Sequence, residues 1–202
     1  MSKKLVVYVV FFTILLGGFL FFTFVGTDNW KVKIPTLGVV QPFNFINQDG
    51  QKLTEASLLG KVTVVEYFFT TCKGICPKLN TNLKDVYLQY KDQPDFQILS
   101  HTCNPETDSV PVLKRYADSL QVDTKKWIFL TGSKEALYLA ARASYKLDDP
   151  KNNVKSISDQ FIHTQFFALI DKNGKLRGKI YDGLKLVEVQ ELKRDIALLI
   201  KE

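Results

Sequence analysis

No run of basic residues occurs in the chain. Its 27 Lys and Arg against 21 Asp and Glu leave a net charge of +6 that is spread along the sequence, so no nucleic-acid footprint is expected. Internal repeats and low-complexity stretches are also missing, which removes solenoid and compositionally biased architectures from consideration. Cysteine is scarce, with three residues in 202. A chain of that length does not need disulfide staples to fold, and an odd count predicts one pair and one thiol left over in an oxidising compartment. Histidine is scarcer still: only His101 and His163 could supply an imidazole.

Charge is absent altogether from Leu5 to Val25. That run of roughly 20 apolar residues spans a hydrocarbon core of about 30 Å as a helix. Lys3 and Lys4 would equally suit the n-region of a signal peptide. The run exceeds the usual h-region, however, and Gly26-Thr27-Asp28-Asn29-Trp30 offers no small-x-small cleavage site. An uncleaved anchor is therefore expected. Positive residues flanking a span stay on the cytoplasmic side, which puts the remainder of the chain across the membrane. The amino terminus lacks an Arg-rich transit segment, so a bacterial inner membrane with the globular part in the periplasm is the expected setting.

The expected organisation is a cytoplasmic tip and anchor over 1–27, a linker over 28–42 carrying Pro35, Gly38 and Pro42, and one domain over 43–202. Asn47-Gln48-Asp49-Gly50 signals a tight turn in an opening hairpin. The β-branched and aromatic run Val62–Phe69 reads as a strand buried on both faces. A helix follows over Lys78–Tyr90, with Pro77 suited to its first position. Strands are expected at Phe96–Ser100 and Trp127–Leu130, and helices at Val110–Leu120 and, capped by Ser133, at Lys134–Tyr145. A hairpin of Phe166–Ile170 with Leu176–Tyr181 and a helix over Leu186–Ile200 close the chain. Alternating strands and helices call for an α/β fold with a parallel-type sheet.

The stretch TTCKGICPKLN, Thr70–Asn80, places Cys72 and Cys76 between a core strand and a helix amino terminus. With the later hairpin, this makes a thioredoxin-like domain behind a single transmembrane helix the expected fold. The helix end should favour ionisation of Cys76 and of Cys72. Thioredoxin redox motifs have two residues between the cysteines, whereas here there are three, Lys73-Gly74-Ile75. A disulfide requires Cβ atoms about 3.8 Å apart, while two thiolates about 2.3 Å from one metal tolerate a wider pair. The longer loop suits a metal without excluding a disulfide. Soft thiolates select Cu(I) or Zn(II) and need a further ligand. His163, at the start of the hairpin strand, a region that in a thioredoxin-like fold approaches the cysteine loop, is one candidate; alone, it would more often be structural. His101 and Cys103 share one face of a strand and could in principle chelate, but Cys103 reads best as the leftover thiol.

Taken together, the anchor, Cys72-Lys73-Gly74-Ile75-Cys76-Pro77 after an aromatic strand, Asn104-Pro105-Glu106-Thr107-Asp108-Ser109, the distal His163 and Tyr181-Asp182-Gly183 resemble the Sco/SenC family of membrane-tethered copper proteins. The resemblance covers nearly the whole chain. It implies that Cys72, Cys76 and His163 hold one copper ion, as Cu(I) or Cu(II), which is delivered to the dinuclear copper site of cytochrome c oxidase or prepared for it by thiol reduction. The implied partners are the copper-site subunit of that oxidase and a copper donor or thiol reductase. Oxidation of Cys72 and Cys76 would remove both sulfur ligands. The chain departs from the family at Asn104, where many members carry aspartate, and at Ile162, where an acidic neighbour often precedes the histidine.

Two other functions compete. A membrane-tethered thiol–disulfide oxidoreductase or thiol peroxidase would use Cys72 and Cys76 as a redox pair and have no need of His163. A noncatalytic interaction module would use the pair as a structural disulfide and be indifferent to metal.

Overall fold

A computed structural model of the chain describes residues 2–25, 33–149, 151, 156–157, 160–162 and 164–202. It divides into two compact units, Met1–Ile34 and Pro35–Glu202.

The first unit is one helix, α1, Lys3–Phe24, begun by Ser2, whose side chain accepts from the Leu5 amide at 3.3 Å. Its 22 residues are long and apolar enough to cross a membrane, and none is buried within the protein. The two threonine hydroxyls donate back to the helix's own carbonyls, Thr13 to Val9 at 2.8 Å and Thr23 to Phe19 at 2.7 Å. The hydroxyls are thereby satisfied inside the helix, as a hydrocarbon environment requires.

The second unit is built on an eight-stranded mixed sheet in the order β1-β8-β7-β4-β5-β6-β2-β3. At its centre lie β4 (Val62–Phe68), β5 (Phe96–Thr102) and β6 (Trp127–Thr131), mutually parallel. Every residue of these strands is buried, because helices cover both faces of a parallel sheet. On one side β7 (Phe166–Ile170) and β8 (Lys175–Asp182) add antiparallel to β4. On the other, the opening hairpin of β2 (Asn44–Asn47) and β3 (Lys52–Thr54) adds antiparallel to β6. The hairpin turn contains Gly50 at φ 77°, a left-handed angle that glycine adopts without the Cβ clash.

Helix α2 (Cys76–Tyr90) lies beside α3 (Val110–Leu120), joined by Asn80 Nδ2 donating to Tyr116 Oη at 2.5 Å and Lys84 Nζ to the Leu120 carbonyl at 2.8 Å. Its other flank meets α5 (Leu186–Lys201), where Tyr90 Oη donates to the Lys193 carbonyl at 2.7 Å. The opposite face of the sheet packs Tyr67, Leu99 and Leu130 against Leu137 and Tyr138 of α4 (Lys134–Leu139). Ser133 caps α4 as expected, accepting from the Ala136 amide at 3.2 Å.

Two expectations change. The segment 28–42, read as a linker, contains a strand at β1 (Thr36–Val39) that pairs with β8 through Thr36↔Arg177 and Val39↔Lys175. Only four residues long and partly exposed, this edge strand has too short a pattern to be seen in the sequence. The helix expected over Lys134–Tyr145 stops at Leu139 and widens into a π turn, Ala140–Ser144. The wider turn accompanies two contacts: Tyr145 sits fully buried beside His101, and Ser144 Oγ accepts from the Gln41 amide at 3.0 Å.

Candidate metal and thiol centre

β4 delivers the chain to the carboxyl edge of the sheet, where the loop Phe69–Ile75 crosses to α2. The Cys72 amide closes a turn on the Phe69 carbonyl at 3.2 Å, and the Lys78 and Leu79 amides both donate to the Ile75 carbonyl at 3.0 Å, starting the helix. The helix begins at Cys76 itself, one residue before Pro77. Cys72 is half-buried and Cys76 is buried, and both are free thiols, as is the buried Cys103. Cys72 and Cys76 open onto a groove of about 330 Å³ floored by Asn80, Thr81 and Lys84 of α2 and by Tyr116 of α3. On its other side Cys76 lines a narrow crevice with Phe69, Cys103, Ile162 and Thr164.

Burial pushes the Cys76 thiol up to about 12. A hydrogen bond with Cys72 and the Cys72 charge add to the rise, against a smaller opposing effect from the Phe69 backbone. The expected ease of ionisation at Cys76 is thus overturned: removal from water outweighs the field of the helix end. The Cys103 thiol is raised as well, first by burial and next by Cys76. Its Sγ donates to the Phe68 carbonyl at 2.9 Å, which fits its reading as a leftover packing thiol.

His101 is fully buried inside β5, edge-on to Phe45 and stacked on Tyr67, with Nε2 3.4 Å from Tyr145 Oη. Desolvation lowers its pKa to about 3, so the ring is neutral and enclosed by aromatic groups. The His101 ring is packed among Phe45, Tyr67 and Tyr145 while Cys103 Sγ is engaged with the Phe68 carbonyl, and among the described residues no group of three or more His, Cys, Asp or Glu could hold a metal. His163 lies outside the described residues. Its chain neighbours Ile162 and Thr164 both line the crevice with Cys76.

Two polar residues of this region carried no role in the sequence reading. Glu66, in β4, is buried and accepts from Ser100 Oγ at 2.5 Å, and Ser100 Oγ accepts in turn from Trp127 Nε1 at 2.7 Å. Its signal was a lone acid within an apolar run. Asp108 is completely buried and accepts from Thr70 in the cysteine loop and Thr102 at the end of β5. It stood within a quoted motif, but nothing in the sequence says which strand ends it joins.

A family model described as SCO1/SenC matches residues 33–200. Over 184 residues the chain is 30% identical to a SCO1 protein homolog of Bacillus subtilis, covering 90% of this chain and 93% of that one. Among solved structures, it is similar to BsSco, described as a member of the Sco family of cytochrome c oxidase assembly proteins with a disulfide switch. That match has a TM-score of 0.69 and 30% identity over 84% of this chain and 98% of the other. Yeast Sco1 with copper bound matches with a TM-score of 0.60 and 28% identity, over 81% of this chain and 90% of the other. The thioredoxin-like α/β fold expected from the strand, cysteine loop and hairpin is borne out by these neighbours and by the mixed sheet. The chain belongs to the SCO1/SenC family.

Proposed function

We propose that this chain is a membrane-anchored copper chaperone that binds one copper ion through Cys72, Cys76 and His163 and passes it to the dinuclear copper site of cytochrome c oxidase. The observation that carries the reading is a pair of free thiols, four positions apart, of which Cys76 lines a crevice together with Ile162 and Thr164, the two neighbours of His163 in the chain. Two thiolates and a neutral imidazole form a soft donor set suited to Cu(I). Copper binding displaces both thiol protons, and the high pKa of Cys76 makes uptake strongly pH-dependent. Cys72, the more exposed of the two sulfurs, is the one from which an incoming client thiol can take the ion. Copper-bound relatives from yeast and Arabidopsis, and a relative described by cytochrome c oxidase assembly, support both cargo and client. Lys3 and Lys4, the first two residues of α1, support a cytoplasmic amino terminus, with the domain on the periplasmic side.

The test is a competitive Cu(I) titration of the reduced full chain in detergent, beside Cys72→Ser, Cys76→Ser and His163→Ala. One equivalent should bind to the wild type, each cysteine variant should lose it, and His163→Ala should bind at least tenfold more weakly. Wild-type protein that takes up no Cu(I) overturns the proposal.

One observation favours a thiol–disulfide role on the same residues: Cys72 and Cys76 are both free thiols and line one groove. Such an oxidoreductase or peroxidase would keep its turnover with a dithiol donor or peroxide in His163→Ala, which separates it from copper delivery.

A further inference from the structure

Asp108 is 0% exposed, yet its hydrogen-bond partners are neutral. Thr70 Oγ1 donates to Oδ1 at 2.5 Å and the Thr70 amide to Oδ2 at 3.2 Å; Thr102 Oγ1 donates to Oδ2 at 2.5 Å, and Thr107 Oγ1 approaches Oδ1 at 3.4 Å. A carboxylate withdrawn from water without a cation persists only where several donors converge on it. Here the donors come from three places: the cysteine loop, the end of β5 and the turn leading into α3. Thr102 Oγ1 also accepts from the Asn104 amide at 2.9 Å, tightening the same knot.

Beyond Thr70 the loop has little else to hold it. Thr71, Lys73 and Gly74 are exposed, and a Cβ added at Gly74 would meet nothing within 4 Å. Between the Asp108 clamp at Thr70 and the first turn of α2 at Cys76, the turn from the Cys72 amide to the Phe69 carbonyl is the internal backbone tie. The placement of Cys72 relative to Cys76 therefore depends on Thr70 being held.

We propose that Asp108 is a positioning residue for the cysteine pair: through Thr70 it fixes where Cys72 sits, and so sets the dithiol–disulfide equilibrium and the soft-metal affinity of sulfurs to which it does not itself hydrogen-bond. The metal half rests on the copper reading; the disulfide half does not. In the disulfide step the two thiols lose two protons and two electrons to oxidised dithiothreitol. The Cys72–Cys76 bond forms as the bond of the probe breaks and the probe becomes a dithiol.

The test equilibrates the full chain in detergent against mixtures of reduced and oxidised dithiothreitol, and titrates the reduced protein with Cu(I) under competition. Wild type is compared with Asp108→Asn, Thr70→Val and the conservative Thr70→Ser, with thermal unfolding followed on each. Thr70→Val should shift the equilibrium about tenfold or more toward the dithiol and weaken Cu(I) binding by about 10–100-fold, the usual effect of losing a residue that orients a ligand. Thr70→Ser, which keeps the hydroxyl, should restore both. Should Asp108→Asn fail to fold, Thr70→Val carries the test, since Thr70 is only half-buried. A folded Thr70→Val whose disulfide equilibrium stays within twofold of wild type overturns the proposal. If wild type ignores Cu(I) while the disulfide equilibrium still shifts, the copper reading fails and the positioning role stands. If all variants bind Cu(I) as wild type does with no shift, the reverse holds.

Discussion

Tyr67 and His101 are direct partners in the parallel ladder of β4 and β5, and their rings stack with centroids 5.1 Å apart and planes 16° from parallel. The pairing fixes the histidine in the core, where Nδ1 has no hydrogen-bond partner. Unfolding returns it to water, where its pKa is about 6.5. The folded value of about 3 lies below that, so the unfolded chain binds the extra proton in between. Stability from this group is present above pH 6.5 and is lost as pH falls toward 3. Urea titrations should therefore show a loss approaching about 1.4 kcal/mol per pH unit from this one proton. His101→Phe should remove that slope; an unchanged slope would show that the ring is already solvated in the fold.

Glu66 works in the opposite direction. Burial raises its carboxyl to about 7, the Ser100 hydroxyl offsetting only part of the rise. The folded protein thus holds a proton that the unfolded chain releases near 4.5, and the associated stability declines as pH rises through 7. Glu66→Gln keeps the shape and an acceptor for Ser100. It should make the protein more stable at pH 8 than wild type while leaving the two alike at pH 4.5, as read by urea midpoints.

The three thiols should separate by reactivity. Alkylation of the reduced chain at pH 8 with iodoacetamide, followed by peptide mass spectrometry, should modify Cys72 first. Cys76 should follow more slowly, since burial and its neighbour keep it protonated, and Cys103 only on unfolding. Early labelling of Cys103 would contradict its packing against Phe68.

Gly183 leaves no room for a side chain. A Cβ there would lie 2.6 Å from Phe167 Cζ and 2.7 Å from Leu79 Cδ2, and Phe167 is completely buried. The residue's backbone is also engaged, its amide donating to the Gln165 carbonyl at 2.8 Å and its carbonyl accepting from Asn82 Nδ2 at 2.7 Å. Gly183→Ala should destabilise the domain by about 1–3 kcal/mol through overpacking, measured as a drop in urea midpoint. A neutral result would mean that α2 and β7 can separate locally.

The central strands were legible because burial on both faces leaves an uninterrupted apolar run, as in Val62–Phe68, and α3 matched its expected span because its apolar stripe is unbroken. The edge strand Thr36–Val39 was not legible, since its pairing with β8 depends on a partner far along the chain and its own four residues carry no period. The π turn escaped for a similar reason: the tertiary contacts of Ser144 and Tyr145 accompany it, while the local propensity of Lys134–Tyr145 is simply helical. At the candidate site, spacing singled out Cys72 and Cys76, which the fold brings to one groove, but misjudged the ionisation of Cys76. Burial of a sulfur depends on Phe69, Ile162 and Thr164 closing over it, and these come from two distant segments.

The register of β4 with β7, Val64 against Leu169, has a consequence for the order of synthesis. The cysteine loop is translated well before Ile162 and Thr164, the residues that wall in Cys76. At about 5–20 residues per second, the roughly ninety intervening residues take on the order of 4 to 20 s to appear. For that interval the wall that Ile162 and Thr164 give Cys76 is missing, and Cys103, which the finished fold keeps tied to Phe68, is the one other thiol within reach of an oxidant.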